Sequence, residues 1–432
     1  MTRITSRPTL ALAALLAVIN GCSPRARIVE LPPPPEPAVD ALPRPAAAPL
    51  AEVGMREDLP SRLDAIIRNA LADSLAPGAA VAVGRYGRIV HIRGYGRTDW
   101  APGAPAVTDS TLFDLASLTK VVATTTAAML LEQEGRLVLD STVGYYLPRF
   151  VVDDAAKRAI TVRQLLTHTG GLEAYAPLHV DTLVRGRHNY LARIAERPLR
   201  GVPGTATVYS DWDMILTQLV VEHVAQEPLD WFFERRIAAP LELRETVFRP
   251  GPHLLPRTAV TADDSLRGGP LRGIVHDGNA WAMGGVSGHA GLFSSVRDLA
   301  AFAHMMIADG RFADTTLLRP ETVARWTAPQ HELSSRALGW DTPSGERSSA
   351  GRYFSARSFG HTGFTGTSLW ADPEKGVFVV LLTNRVHSLG MTPSARVLDL
   401  RAAVADAVQA AVIDAPLVAR TNGAVRRVSM NP

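Results

Sequence analysis

The sequence predicts a mixed α/β (α+β) protein, in which an antiparallel β-sheet flanked by helices stands beside an all-helical domain. Short β-rich runs occur near both ends of the chain, whereas residues 140–345 show mostly helical patterns separated by glycine- and proline-containing loops. With 432 residues, of which 46% are hydrophobic and 20% charged, the chain can bury a sizeable core and is not globally disordered. The simplest arrangement pairs the terminal strands in one sheet, and a cleft between this sheet and the helical part is the expected place for a site.

The first 22 residues are typical of a targeting segment. Arg3 and Arg7 precede an apolar run over residues 10–19, and Ile19-Asn20-Gly21-Cys22 resembles a bacterial lipobox, in which the cysteine becomes lipidated. We expect residues 1–22 to be a lipoprotein signal peptide. Cys22 would carry the lipid that anchors the protein in the cell envelope, at the outer membrane and facing the periplasm. An ordinary secretory signal with a chance cysteine is the alternative.

Residues 23–57 are rich in proline and alanine, with four consecutive prolines at 32–35. Such a stretch favours extended polyproline conformations and cannot bury a core, so it predicts a tether. The folded domain is expected over residues 58–415, and residues 416–432 are expected to form a flexible tail.

Within the folded domain, the spacing of apolar residues predicts a helix over 59–75. Two β-rich runs around Arg85-Tyr86-Gly87 predict a hairpin of strands at 79–83 and 89–95. Residues 121–133 are nearly all apolar, threonine or alanine, which indicates a buried helix. Towards the end of the chain the pattern predicts three strands and a last helix, at 359–361, 368–371, 377–383 and 397–412.

The charge balance argues against a nucleic-acid partner, because 45 basic and 42 acidic residues leave a net charge of only +3. Only three of the basic residues are lysines: Lys120, Lys157 and Lys375. Arginine stays protonated and cannot act as a base, so a lysine in this chain is a candidate for chemistry. The single cysteine excludes an internal disulfide, and no apolar run approaches the ~20 residues of a membrane span.

Ser117-Leu118-Thr119-Lys120 opens the predicted buried helix and is the main candidate for chemistry. Positions three apart share one face of a helix, so Lys120 can hydrogen-bond the Ser117 hydroxyl. Serine is a weak nucleophile until a neighbour removes its proton. A lysine in an apolar, water-poor place loses its charge more readily and can serve as that base. The alternative is that Lys120 extends to the surface and has no chemical role.

Two further segments carry candidate groups. Tyr209-Ser210-Asp211 precedes a helical pattern, and a loop tyrosine can share proton transfer with a lysine, although taken alone it is more often a packing residue. His361-Thr362-Gly363 ends a predicted strand, where the glycine permits a ligand to approach the backbone. The next amide, that of Phe364, can then point at an oxyanion, and a β-bulge or turn is the alternative.

Two loop stretches, residues 275–279 and 288–291, are rich in polar groups and glycine, and we expect turn chemistry there rather than substrate contacts. No HExxH pattern and no close three-ligand helix spacing occurs, so no metal is expected. The G-x-S-x-G elbow of α/β hydrolases is also missing, because His289 follows Gly285-Val286-Ser287-Gly288.

In this order the three motifs resemble those of the serine β-lactamase and penicillin-binding-protein superfamily, above all its class C β-lactamase-like branch with DD-peptidases and esterases. Three supporting segments agree. Residues 160–172 resemble the family's ITVRxLLTHTSGL, residues 203–211 its PGxxxxYSN, and residues 291–300 its GLxSTxxDLxxF. The resemblance covers roughly residues 58–412.

The resemblance implies a serine hydrolase without a cofactor. Ser117 would be the acylated nucleophile, Lys120 and Tyr209 would share the acid and base work, and the amides of Ser117 and Phe364 would form the oxyanion hole. The implied substrate-binding residues are Asp211, His361, Thr362 and Gly363, with His361 and Thr362 at the carboxylate end. The substrate would be a peptidoglycan peptide ending in D-Ala-D-Ala or a small molecule, either a β-lactam or a short ester.

Two residues depart from the β-lactamase pattern. Asp211 stands where class C enzymes carry asparagine, and an ionised aspartate only accepts hydrogen bonds, so it would favour an ammonium or stay protonated if buried. His361 stands where they carry lysine, and its hold on a carboxylate would be weaker and dependent on pH. Both changes disfavour efficient penicillin hydrolysis and fit a DD-peptidase, an esterase or a D-amino-acid peptidase. A true class C-like β-lactamase and a non-catalytic peptidoglycan-binding lipoprotein are the alternatives.

Overall fold

The structure, a computed structural model, describes residues 46–151, 154–331, 334–345, 347–389 and 393–420. The predicted signal peptide, its lipidation site Cys22 and most of the predicted linker lie outside the described residues. Most of the predicted tail also lies outside them.

The secondary structure alternates short strands with helices. The strands are Ala46–Ala47 (β1), Gly78–Arg85 (β2), Arg88–Gly96 (β3), Phe113–Asp114 (β4), Val247–Phe248 (β5), Val260–Asp264 (β6), Gly269–Arg272 (β7), Leu292–Ser294 (β8), Arg311–Phe312 (β9), Thr315–Thr316 (β10), Phe359–Thr362 (β11), Ser368–Asp372 (β12) and Val377–Thr383 (β13). The α-helices are Leu59–Ala72 (α1), Thr126–Gln133 (α2), Val143–Tyr146 (α3), Val162–Leu166 (α4), Gly186–Glu196 (α5), Asp211–Ala225 (α6), Leu229–Phe233 (α7), Gly278–Ala282 (α8), Val296–Ile307 (α9), Pro320–Thr327 (α10) and Ser394–Ala411 (α11). Among the described residues, every helix is too short or too polar to cross a bilayer.

Six strands form the main sheet in the order β1-β3-β2-β13-β12-β11. All neighbours are antiparallel except β1, which runs parallel to β3. Tyr86 and Gly87 connect β2 to β3 with φ values of 48° and 76°, the geometry of a type I′ turn that matches the strand twist. Strands from both ends of the chain therefore share one sheet, as predicted, and its edge strand β11 carries His361.

Both faces of the central strand β2 are buried. Ala80 and Ala82 belong to a core that also contains residues of α2 and α9, whereas Val81 and Val83 belong to a second core with residues of α1 and α11. A strand covered on both faces shows a continuous apolar run instead of alternation, which is the pattern of this segment. The C-terminal helix α11 packs on α1 and β13, and this packing fixes the side chains that α11 directs towards the cleft.

Several boundaries differ from the sequence-based expectation. Residues 46–57 were expected in the tether, but β1 pairs with β3, and Leu50, Val53 and Met55 are buried. The part expected to be all-helical, residues 140–345, also contains the six strands β5–β10. These strands have only two to five residues each, too few for alternation to show. The buried helix predicted over 121–133 is present, but it begins as a π-helix over Lys120–Thr125.

Candidate active site

The Ser117 hydroxyl lies at the turn between β4 and the π-helical segment. Asp114 builds this turn, because its carboxylate accepts hydrogen bonds from the amides of Ala116 at 2.8 Å and His276 at 2.7 Å. Ala116 has a φ of 47°, a strained conformation for a residue with a Cβ, and such strain is typical of functional turns. The turn leaves Ser117 partly exposed at a helix N-terminus, where the helix field favours negative charge.

The Lys120 ammonium is fully buried and has three hydrogen-bond acceptors. Its Nζ lies 2.9 Å from Ser117 Oγ, 2.8 Å from Asp211 Oδ1 and 3.2 Å from the carbonyl oxygen of His289. The structure therefore brings Ser117 and Lys120 into contact. The alternative, a lysine that extends to the surface, is wrong.

Asp211 decides the charge of Lys120. Burial by itself lowers the pKa of Lys120, but the Asp211 carboxylate and the Tyr209 hydroxyl together outweigh burial and raise this pKa. The expectation that an apolar environment would make Lys120 lose its charge is therefore wrong. Asp211 was expected to favour an ammonium group, and the ammonium it contacts is that of Lys120.

The first turn of α6 places both neighbours of this lysine. Ser210 caps the helix, because its hydroxyl accepts a hydrogen bond from the amide of Trp212 at 3.2 Å. The cap leaves Tyr209 just before the helix, with its ring centroid 4.8 Å from Lys120 Nζ, and starts the helix at Asp211. One helix start thus delivers a phenol and a carboxylate to the same ammonium.

Three further groups surround the Tyr209 ring. The ring centroids of His168 and His361 lie 4.7 Å and 5.9 Å from that of Tyr209, and Arg336 Cζ lies 4.9 Å from it. The predicted Tyr209 and His361 are therefore neighbours, as the order of the motifs implied. Sequence reasoning missed Arg336, because it is an isolated arginine in an arginine-rich chain and carries no local signal.

The segment after β11 is tied to the turn before Ser117. The hydroxyls of Thr365 and Thr367 donate to the carbonyl oxygens of Asp114 at 2.7 Å and Leu115 at 2.9 Å. Gly363 lies where the two segments meet. A Cβ on Gly363 would be only 2.4 Å from the Leu115 carbonyl oxygen. Only glycine fits this close approach of two backbones.

The two amides expected to form the oxyanion hole lie on these joined segments. The described residues offer neither the Ser117 N–H nor the Phe364 N–H a backbone carbonyl acceptor, so both amides are available to a ligand. Both residues line the same cleft of about 1180 Å³, together with Thr362 and Gly363. Both amides can therefore donate to the oxyanion that forms on a substrate carbonyl when Ser117 attacks it.

His361 is buried, and its Nδ1 lies 2.8 Å from the carbonyl oxygen of Thr362. Burial, with the nearby charges of Arg336 and Lys120, holds the pKa of His361 well below its usual range. The ring is therefore neutral at physiological pH. It does not supply the pH-dependent cation that the sequence analysis assigned to the carboxylate end of the substrate.

The polar loops 275–279 and 288–291 line the cleft, although turn chemistry alone was expected there. Asp277 caps α8 by accepting from the Ala280 amide at 2.7 Å, which is the expected turn chemistry, but Asp277 and His289 also line the cleft. His289 Nε2 lies 2.8 Å from Asp277 Oδ1. Ligand-type atoms of Asp211, Asp277 and His289 come within 4.8 Å of one another. Lys120 already pairs with Asp211, and its ammonium would repel a metal cation. This cluster therefore favours an internal hydrogen-bond network over a metal.

The comparisons with known proteins agree with the fold and the motifs. The sequence model of the family described as Beta-lactamase matches residues 63–404. A protein of Escherichia coli (strain K12), named as a candidate D-alanyl-D-alanine carboxypeptidase, is 36% identical over 65% of this chain and 70% of its own length. A relative of the same name from Salmonella typhimurium (strain LT2) is 32% identical over 78% of this chain and 85% of its own length.

Two solved structures show the same fold. EstCE1, described as a hydrolase with promiscuous acyltransferase activity, matches with a TM-score of 0.67 and 24% identity over 81% of this chain and 99% of its own. A β-lactamase/D-alanine carboxypeptidase from Pseudomonas syringae matches with a TM-score of 0.64 and 20% identity over 80% of this chain and 98% of its own.

We expect Ser117→Ala to abolish covalent labelling by a fluorescent penicillin or an alkyl phosphonate, because the acceptor oxygen is gone. Lys120→Arg should slow labelling by about 10²- to 10⁴-fold, since arginine keeps its proton. Lys157→Arg is the matched control, because Lys157 is equally buried but lies outside the cleft. The labelling rate of each of the three variants is measured from the fluorescence of the labelled band against time. Labelling of Ser117→Ala at the wild-type rate would show that Ser117 is not the nucleophile.

Asp211→Asn should move the acidic limb of the pH profile of kcat/KM to lower pH. The Asp211 carboxylate raises the pKa of Lys120, so removing its charge lowers that pKa and makes the unprotonated amine available in more acidic buffer. Asp298→Asn, at a buried carboxyl outside the cleft, should leave the limb in place. If the acidic limb of Asp211→Asn kept its pH or moved to higher pH, the ionisation of Lys120 would not be what sets this limb.

Proposed function

Since the chain belongs to the β-lactamase family, we propose that this serine hydrolase acts as a D-alanyl-D-alanine carboxypeptidase, which removes the terminal residue of a short peptide with a free carboxylate. The observation that carries the proposal is a half-buried arginine, Arg401, which lines the cleft and contacts the Gly363 backbone. The names of the curated relatives support the same substrate class.

The geometry around Ser117 gives the order of proton transfers. Ser117 Oγ attacks the carbonyl carbon of the scissile amide, and the oxyanion is stabilised by the amides of Ser117 and Phe364. In the resting site the Lys120 ammonium donates to Ser117 Oγ, so the lysine accepts a proton only in the fraction of molecules that have lost one. Lys120 and Tyr209 then share that proton and deliver it to the leaving amine, and water later hydrolyses the acyl-enzyme.

Arg401 provides a positive charge that the described part of the protein leaves without a carboxylate partner. Its Nη2 donates to the carbonyl oxygens of Gly363 at 2.6 Å and Thr367 at 2.9 Å. Burial, and then the neighbouring Arg385, lower the pKa of Arg401 to about 9, in keeping with a guanidinium that has no carboxylate beside it in the described residues. A substrate carboxylate next to Gly363 would supply the missing negative charge.

Arg401→Gln should lower kcat/KM by about 10- to 100-fold for a peptide ending in D-Ala-D-Ala, because a charged hydrogen bond contributes about 1.5–3 kcal/mol. The same peptide with a C-terminal amide should be hydrolysed equally by both proteins. Arg396→Gln is the matched control, since Arg396 lies on the same helix but outside the cleft, where it contacts Asp73. An equal loss on acid and amide would refute a carboxylate site at Arg401.

An esterase for apolar acyl groups is the second candidate, and the rim of the cleft favours it. Five large apolar side chains line the cleft and are exposed: Tyr175, Val180, Leu266, Trp281 and Phe364. Exposed apolar side chains gathered at one cleft suggest apolar ligands. The purified domain assayed side by side on the D-Ala-D-Ala peptide, a p-nitrophenyl ester and nitrocefin separates the candidates. A peptide rate far above the other two supports the carboxypeptidase, and ester turnover alone would overturn it.

We further propose that the protein works in the cell envelope, held by a lipid on Cys22. The lipobox-like residues 19–22 support this location, and so does a peptidoglycan-peptide substrate. Cys22→Ser should move the full chain from the membrane fraction to the soluble periplasmic fraction. Unchanged fractionation of this variant would contradict lipid anchoring.

A further inference from the structure

A buried pair behind Tyr209 has no part in the proton transfers described above. His168 and Asp213 are almost completely buried, and His168 Nδ1 lies 3.1 Å from Asp213 Oδ2. The same nitrogen accepts a hydrogen bond from the Ser210 amide at 3.2 Å. The pair therefore contacts the loop that carries Tyr209, through the Ser210 amide and through the Tyr209 ring, which is tilted by 57° from the His168 ring.

The Ser210 contact settles which group carries the proton. An amide N–H can only donate, so Nδ1 must present a lone pair and cannot itself be protonated. Two lone pairs would then face each other at 3.1 Å unless Asp213 Oδ2 carries a hydrogen. The other ring nitrogen, Nε2, has no partner among the described residues in either state and does not distinguish the two.

We propose that Asp213 is a protonated carboxylic acid that donates to neutral His168, and that this uncharged pair positions Tyr209 for catalysis. The second oxygen, Asp213 Oδ1, supports the assignment, because it is buried without a hydrogen-bond donor in the described chain and packs against Gly170. An ionised carboxylate with one unpartnered, buried oxygen would be costly.

The surrounding charges act in the same direction. Burial, reinforced by the neighbouring Asp211 carboxylate, raises the pKa of Asp213 well above its usual range. Burial, with the positive charges of Arg336 and Lys120 and the nearby His361, holds the pKa of His168 well below its usual range. Both shifts favour the neutral forms of the two groups.

His168 and the neutral pair affect the site in two ways. His168 has a φ of 57°, and its carbonyl oxygen accepts a hydrogen bond from the Val208 amide at 2.9 Å. The backbone and the ring of His168 together therefore hold the loop before α6. A neutral Asp213 also leaves Asp211 as the carboxylate that balances Lys120. A second negative charge two residues away would raise the pKa of Lys120 further and reduce its fraction of free base.

The test compares Asp213→Asn with Asp213→Ala in the full chain. Asparagine keeps the shape and can donate to His168 Nδ1, so we expect the rate of covalent labelling of Ser117 to stay within about threefold of wild type. Alanine removes the donor, and labelling should slow by at least tenfold without a shift of its pH profile. Asp298→Ala, at a buried carboxyl on α9 outside the cleft, is the control for a merely structural loss and should change stability but not the labelling rate.

The melting temperature against pH tests the protonation state independently of any activity. A carboxyl with a raised folded pKa stabilises the protein below its unfolded pKa and loses that contribution as pH rises. Asp213→Asn should therefore gain stability relative to wild type as pH increases from about 4 to 8. A relative loss of stability over that interval would mean an ionised Asp213 beside a neutral His168 and would overturn the proposal. An ion pair holds the same number of protons as the neutral pair, so the ring ¹⁵N shifts of His168 separate those two states: an unprotonated Nδ1 is expected, and a protonated Nδ1 would also overturn the proposal.

The kinetic part of the inference rests on the proposed hydrolase, whereas the melting curves do not. If wild-type protein labels no probe, but Asp213→Asn gains stability and His168 Nδ1 is unprotonated, the proposed function fails and the protonation assignment stands. If the wild type labels and Asp213→Asn loses both labelling and stability, the proposed function stands and the neutral pair is refuted.

Discussion

The buried ion pair between Lys120 and Asp211 is the interaction on which the rest of the site depends. A fully buried ammonium is stable only beside an acceptor of opposite charge, and removing one partner of such a pair costs about 3–5 kcal/mol. The two residues come from distant parts of the chain, the helix after β4 and the start of α6. Their pairing therefore docks the helical part onto the segment that carries Ser117, and it also sets the resting protonation state of the lysine.

The positive charge expected at position 361 comes instead from another element. His361 is neutral on β11, and Arg401 on α11 holds the carbonyl oxygen of Gly363 from behind. Because α11 packs on α1 and the sheet, the anion-binding end of the cleft depends on the whole layered core. A guanidinium held in this way offers planar, fixed donors, which suits a carboxylate better than a titrating imidazole does.

The sequence predicted those parts of the site that are encoded locally. Ser117 and Lys120 are three residues apart on one helix, and Tyr209 lies beside a helix cap, so their motifs were recognisable without tertiary information. The pKa of Lys120 was predicted to fall, but it rises, mainly because of Asp211, 91 residues later in the chain. Arg336 and Arg401 were missed for a similar reason. A single arginine reveals its role only when the fold brings it to a cleft, and strands of two residues, such as β5, carry no periodicity at all.

The two departures from the β-lactamase pattern shift the charge balance around Tyr209 in the same direction. Asp211 adds a negative charge and His361 removes a positive one, while Arg336 and Lys120 keep two cations within 5 Å of the ring centre. At an effective dielectric constant of 20, two cations roughly 6 Å apart repel each other by about 3 kcal/mol, which lowers the pKa of a titrating cation by about two. Protonation of His361 or His168 is therefore strongly opposed in the intact site. Because these two rings are buried as neutral partners, they enclose Tyr209 without adding positive charge beside Lys120 and Arg336.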